Sequence, residues 1–169
     1  MSDAAGGAPA PRTLAIDWGD RRIGLAVSDA LGLLATPAGV VTRRAGKRPP
    51  LAELLRQAEA LGADAIVIGL PLDPSGGETP RSREVRDVAA RLAARTARPV
   101  RLVDERFTTA AALRQVRVQG GSTRGRKGDV DALAAAILLE QVLDATRRGV
   151  TLGEAVAPPP GSPSPAPTP

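Results

Sequence analysis

Three short apolar and β-branched runs, at residues 13–16, 24–28 and 35–41, follow one another with glycine and aspartate in the turns between them. Runs of that length with turn chemistry at each end read as consecutive antiparallel strands, so the chain is expected to open as a β-meander. The pattern then changes. Pro49-Pro50 precedes Leu51, Leu54, Leu55, Ala58 and Leu61 at helical spacing, and Gly62 sits where a helix C-terminus calls for glycine, which predicts an amphipathic helix. Ala65-Ile66-Val67-Ile68-Gly69 reads as a buried strand, 83–95 as a helix and 99–104 as another strand, with further helices over 109–118 and 130–147. The expected fold class is α/β: a mixed sheet of three antiparallel strands followed by parallel ones, flanked by helices. Residues 1–11 are rich in Ala, Gly and Pro, and 151–169 are dominated by Pro, Ser, Ala and Thr. Both are expected to be disordered, on either side of one domain over 12–150.

Composition narrows the chemistry. The hydrophobic fraction is 43%, yet Trp18 and Phe107 are the only aromatic residues, so the core must be aliphatic. Cysteine and histidine are absent, which removes disulfides, thiolate nucleophiles, Cys or His zinc sites and imidazole bases. An enzyme built on this chain would work with carboxylates, hydroxyls, Arg and Lys. No apolar run is long enough to span a bilayer and residues 1–12 lack the regions of a signal peptide, so a cytoplasmic location with no membrane partner is expected. The net charge is +5 and nearly all of the positive charge is arginine. Arginine pairs bidentately with phosphate, which makes nucleic acid a natural partner, although a GC-rich coding sequence also favours Arg, Ala, Gly and Pro.

Three places in the chain put acids where they could act. Asp17 ends the first strand and is followed by Trp18-Gly19-Asp20-Arg21-Arg22-Ile23-Gly24. A carboxylate at a strand end beside a glycine turn can hold a divalent cation, or it can simply close the turn. Asp104-Glu105-Arg106 lies at the C-terminal end of a strand, where α/β folds place their ligands; the alternative is that these acids complement the dipole of a helix capped by Thr108 or Thr109. In Gly128-Asp129-Val130-Asp131, Asp129 is accounted for as a helix N-cap. Asp131 instead shares a helical stripe with Ala134, Ala135 and Leu138, the face that packs on the sheet, where an acid is costly unless paired with a cation or metal. If the topology holds, the three places converge at one end of the sheet. A Gly- and Pro-rich loop, 69–80, leaves a strand end nearby. Between 114 and 128 lie Arg114, Arg117, Arg124, Arg126 and Lys127 with no acid among them, a basic stretch suited to docking a phosphate backbone beside an acidic pocket.

Four strings occur in order: Ala15-Ile16-Asp17-Trp18-Gly19 with Arg22-Ile23-Gly24-Leu25-Ala26-Val27-Ser28-Asp29; Ile66-Val67-Ile68-Gly69-Leu70-Pro71-Leu72; Val103-Asp104-Glu105-Arg106-Phe107-Thr108-Thr109; and Lys127-Gly128-Asp129-Val130-Asp131-Ala132-Leu133-Ala134-Ala135. Together they resemble the YqgF/RuvX family, bacterial proteins described both as Holliday junction resolvases and as pre-16S ribosomal RNA nucleases. The resemblance covers essentially all of 13–145. It implies an RNase H-like fold, with Asp17, Glu105 and Asp131 at the family's acidic positions and Asp104 as an auxiliary. Trp18 stands where the family usually has Tyr or Phe, and Asp20 where Thr is common.

The expectation, its substrate taken from the family resemblance, is a metal-dependent endonuclease acting on structured nucleic acid at the 5′ end of pre-16S rRNA, with a branched DNA junction as the alternative. Asp17, Glu105 and Asp131 would hold Mg²⁺ or Mn²⁺, and Arg22, Arg106, Arg124, Arg126 and Lys127 would contact phosphates. A junction resolvase would be expected to act as a homodimer; the sequence leaves monomer and homodimer open. Two rivals predict different behaviour: an actin-like nucleotide site would bind ATP, and a non-catalytic nucleic-acid module would bind without cutting.

Overall fold

The computed structural model describes residues 10–44, 46–106 and 127–162, with 127–129 described by backbone alone. Strands β1 (Thr13–Trp18), β2 (Arg22–Ser28) and β3 (Ala35–Thr42) form the meander. Helix α1 (Leu51–Ala60), β4 (Ala65–Leu70), α2 (Pro80–Ala93) and β5 (Val100–Asp104) alternate after it, and α3 (Lys127–Arg147) precedes a short β6 (Glu154–Ala155). The sheet order is β3-β2-β1-β4-β5-β6. β1 pairs antiparallel with β2 and parallel with β4, and β4 pairs parallel with β5. This is the mixed α/β sheet expected from the sequence pattern, and it fits the RNase H-like fold that the family resemblance implied.

Side chains alternate between the two faces of the sheet. Leu14, Ile16, Trp18, Ile23, Leu25, Ile66, Ile68, Val100 and Leu102 join Leu51 and Leu54 of α1 and Val85, Val88 and Leu92 of α2 in one core. Ala15, Ala26, Val67 and Val103 face the other way, against Ala135, Leu138, Leu139 and Leu143 of α3. The alanines on both sides of the second interface let α3 lie close to the sheet. Each large aliphatic side chain buried in either layer contributes about 1.5–3 kcal/mol, so both layers hold the sheet in place.

Several boundaries differ from expectation. α2 begins at Pro80 rather than 83, because Thr79 and Ser82 form a reciprocal cap: Ser82 N donates to Thr79 Oγ1 at 3.0 Å and Thr79 N to Ser82 Oγ at 2.7 Å. α3 begins at Lys127, so Asp129 lies within its first turn and is not its N-cap. Part of the segment expected to be a disordered tail is ordered. Arg101 pairs with Ala155 and Leu102 with Glu154 in the β5–β6 ladder, Val156 packs on the core, and Arg86 forms an ion pair with Glu154. The helix expected over 109–118, together with Phe107, falls outside the described residues. Among the described residues no helix is long and apolar enough to cross a membrane.

Candidate active site

Strand parity and register assemble the site. Asp17 follows Ile16 and Ala15 on β1, and so shares with Ala15 the face covered by α3. Its antiparallel partner is Gly24. On the other side, Ile16 pairs with Ile68, which brings Gly69 beside Asp17. Both glycines lie on the α3 face, at the parity of Ala26 and Val67, and each leaves room for an acid-bearing segment. A Cβ on Gly24 would fall on the backbone carbonyl of Asp131, and a Cβ on Gly69 would fall on Oε1 of Glu105. Asp17 therefore lies between two glycines, with the first turns of α3 over one and the Glu105 side chain over the other. The main chain of Glu105 is held by donation from its N to Leu70 O at 3.2 Å.

These three acids are the deeply buried carboxylates among the described residues: Asp17 is 1% exposed, Glu105 2% and Asp131 1%. Burying a carboxylate is expensive without compensating charge or hydrogen bonds. Asp131 is compensated by Arg22, at the start of β2, which donates from Nε to its Oδ2 at 2.6 Å. As a donor set, three carboxylates at the strand ends fit a hard divalent cation. Among the described residues, no group of three acids is drawn together tightly enough to form a ready cage.

Asp104 stands apart. It has the parity of Leu102, on the opposite face from Glu105, and Arg106 grips it with Nη2 at 2.7 Å and Nε at 2.9 Å from Oδ2. That contact holds the Asp104 carboxyl below the ordinary carboxylate range. Arg106 also lies against Gly76, where φ is +92° and a Cβ would come within 2.8 Å of Nη1. The loop is braced from within, since Asp73 Oδ1 accepts from Ser75 Oγ at 2.6 Å and from Gly77 N at 2.7 Å, which lowers its pKa. Arg124 and Arg126 lie outside the described residues, as do Arg114 and Arg117. Lys127 is placed only as the first residue of α3.

Sequence reasoning left out the two glycines. An isolated glycine inside a strand signals a close backbone approach, so Gly24 and Gly69 carried the clue. It also left out Arg43, buried with its guanidinium 4.6 Å from the centroid of the Trp18 ring.

Residues 11–145 match the family described as "RuvX: Holliday junction resolvase". The chain belongs to this family. RuvX membership places it in a nuclease family of the RNase H-like superfamily. A Nocardioides protein provisionally named a pre-16S rRNA nuclease is 45% identical over 147 residues, covering 85% of this chain and 94% of that one. A Kineococcus radiotolerans protein of the same name is 40% identical over 149 residues, covering 88% of this chain and 79% of its own length. Among solved structures, Thermus thermophilus RuvC in complex with a Holliday junction substrate aligns with a TM-score of 0.49 at 17% identity, over 85% of this chain and 99% of that one. That likeness is too slight to bear on site or substrate.

Proposed function

We propose that this RuvX member is a metal-dependent endonuclease that hydrolyses phosphodiester bonds in structured nucleic acid, with the 5′ end of pre-16S rRNA as its substrate. The observation that carries the reading is the placement of Asp17 between Gly24 and Gly69, with Asp131 and Glu105 brought to either side of it. The substrate choice rests on the names of the relatives.

Asp17, Glu105 and Asp131 would hold Mg²⁺ or Mn²⁺. When bound, such an ion acidifies a water and offsets charge on the attacking and leaving oxygens. The chain's own part is positional. The sheet fixes Asp17, the main chain at Leu70 anchors the turn carrying Glu105, and the packing of α3 on Gly24 fixes the height of Asp131. In this reading a water is the nucleophile, and hydrolysis proceeds without a covalent enzyme intermediate. Arg22 stands next to the acids and would meet a phosphate there. Arg106, Arg124, Arg126 and Lys127 are the further candidates for backbone contacts.

A four-way DNA junction is the second substrate, favoured by the family description. Purified protein is incubated with a pre-rRNA fragment, a four-way junction and linear duplexes, in Mg²⁺, Mn²⁺ or EDTA, beside the Asp17→Asn variant. Metal-dependent cutting of the RNA, lost in the variant, is expected. Cutting of the junction alone moves the assignment to resolution; binding with no cutting in either metal replaces the enzyme with a binding module, and ATP binding by calorimetry would point to a nucleotide site instead.

A further inference from the structure

A second concavity lies on the far side of Arg22. The start of β2 and the end of β3 run antiparallel, with Arg22 opposite Thr42 and with Arg43 N donating to Arg21 O at 2.8 Å. Arg21, Arg22, Thr42, Arg43 and Arg44 line a pocket of about 520 Å³ there. Four arginines from two adjacent strand ends line one space. The ion pairs among the described residues supply two acids for them: Glu84 accepts from Arg43 Nη2 at 2.7 Å, and Asp131 from Arg22 Nε at 2.6 Å. Arg21 and Arg44 are exposed and take part in none of those ion pairs. The pocket therefore carries excess positive charge.

Arg43 marks the pocket as a built feature. Its side chain is only 6% exposed, a depth at which charged groups are ordinarily fully paired. Its guanidinium lies over the Trp18 ring, whose π face holds the cation and fixes its plane. Glu84 takes one amino group, while Nη1 is buried with no hydrogen-bond partner among the described residues. With Arg21, Arg22 and Arg44, Arg43 lines a positively charged pocket, which suits an anion with several acceptor oxygens. Phosphate is such an anion, and the planar guanidinium fork matches it bidentately.

Arg22 belongs to both places. Its Nε faces Asp131 while the side chain lines the pocket, so an anion in the pocket would be the immediate neighbour of whatever lies at the three acids. We propose that the pocket of Arg21, Arg22, Thr42, Arg43 and Arg44 is a phosphate subsite that grips a backbone phosphodiester of a nucleic-acid strand next to the bond presented to Asp17, Glu105 and Asp131. The assignment rests on the nuclease reading for its strand, and on the pocket alone for its anion. It sets the path of the strand, which leaves the acids across the start of β2 and the end of β3.

The test is binding, kept apart from cutting. A labelled pre-rRNA fragment is titrated in EDTA, with full-length wild type and the Arg21→Ala/Arg44→Ala double variant, at salt concentrations from about 50 to 200 mM. Both side chains are exposed, and the melting temperature checks that the variant is folded. Expected are weaker binding that is indifferent to sequence and a salt slope shallower by about 0.7–0.9 for each phosphate no longer held. Arg21→Lys/Arg44→Lys should restore most of the slope, since the charge returns. Arg95→Ala, an exposed arginine at the end of α2, is the control for charge alone.

An unchanged slope in the double alanine variant, or an equal drop with Arg95→Ala, overturns the subsite. Free phosphate or a mononucleotide bound as tightly as the RNA overturns the strand assignment. Cutting assays in Mg²⁺ separate the two readings. Cutting that depends on Asp17 alongside an unchanged slope removes the subsite alone; a reduced slope in a protein that never cuts keeps the subsite and removes the nuclease.

Discussion

The carboxylate of Glu105 occupies the space over Gly69 that a strand side chain would fill, with its Oε1, Cδ and Cγ all inside the reach of a Cβ placed there. Gly69 is thus required by an acid carried just past the end of β5, and the two residues form one feature of the site.

Gly69→Ala tests that feature directly. The atoms it meets belong to the end of a flexible side chain, so the fold should survive with Glu105 swung aside, at a cost of about 1–3 kcal/mol. A misplacement of even about 1 Å at a reacting centre can cost on the order of 100-fold in rate. Expected, therefore, is cutting reduced at least about 100-fold with a modest loss of stability, read from single-turnover cleavage and a urea melt. Wild-type cutting in a folded Gly69→Ala protein would remove Glu105 from the reaction.

Gly24→Ala should behave in the opposite way. Here the added Cβ meets backbone, the carbonyl of Asp131 and, at 3.1 Å, the amide nitrogen of Ala132, which cannot rotate away. Strand β2 and helix α3 must separate, and the buried alanine interface opens with them. A cost of about 3 kcal/mol or more is expected, a fall of the order of 10 °C in melting temperature for a chain of this size. A melt unchanged within 2 °C, as an order of magnitude, would mean that the helix approach is looser than the geometry requires.

Much of this arrangement was legible in the sequence because it rests on local pattern. The meander, the α1 stripe of Leu51, Leu54 and Ala58, and the buried run at β4 follow from periodicity and turn chemistry. So does the inward lean of Asp131, whose stripe-mates Ala134, Ala135 and Leu138 are all buried. Contacts between residues far apart in the chain were not legible. The Arg22–Asp131 pair spans 109 positions, and the burial of Arg43 depends on an indole on another strand. β6 has no side-chain pattern to announce it, since Arg101 reaches across to the carbonyls of Leu152 and Gly153 and backbone pairing does the rest. The first turn of α3 was read short because Lys127-Gly128 looked like loop, whereas the helix runs through the glycine.

Acid should erode stability through α1. Glu53 accepts from Arg56 at 2.6 and 2.8 Å and from Gln57 at 2.8 Å, and these donors, Arg56 foremost, hold its carboxyl at about 2 against an ordinary 4.5. A depressed folded-state value means that the contribution is complete above pH 4.5 and is lost as the pH falls toward 2. Glu53 is fully exposed, so the effect is small and shrinks with salt. Expected for Glu53→Gln is a flatter dependence of melting temperature on pH in that window at low salt. A dependence as steep as wild type would assign the acid response to other carboxylates, such as Asp29, which is lowered by the Leu34 and Leu33 amides.

Arg22→Ala should make the protein depend on divalent cations for part of its stability. The substitution removes a guanidinium from a carboxylate that is 1% exposed. Because Arg22 itself is a third exposed, the loss should fall below the roughly 3–5 kcal/mol of a fully buried pair, at about 1–2 kcal/mol in EDTA. If Asp131 is shared between Arg22 and a cation, the cation competes with the guanidinium in wild type and replaces its charge in the variant. Mn²⁺ should then raise the melting temperature of Arg22→Ala more than that of wild type, by mass action on the folded state. Asp131→Asn should abolish the difference, because the carboxylate for which both cations compete is gone. An equal response to Mn²⁺ in wild type and Arg22→Ala would mean that the guanidinium and the metal do not meet at Asp131. The acids would then take a cation without displacing Arg22, leaving that side chain free to hold a phosphate throughout the reaction.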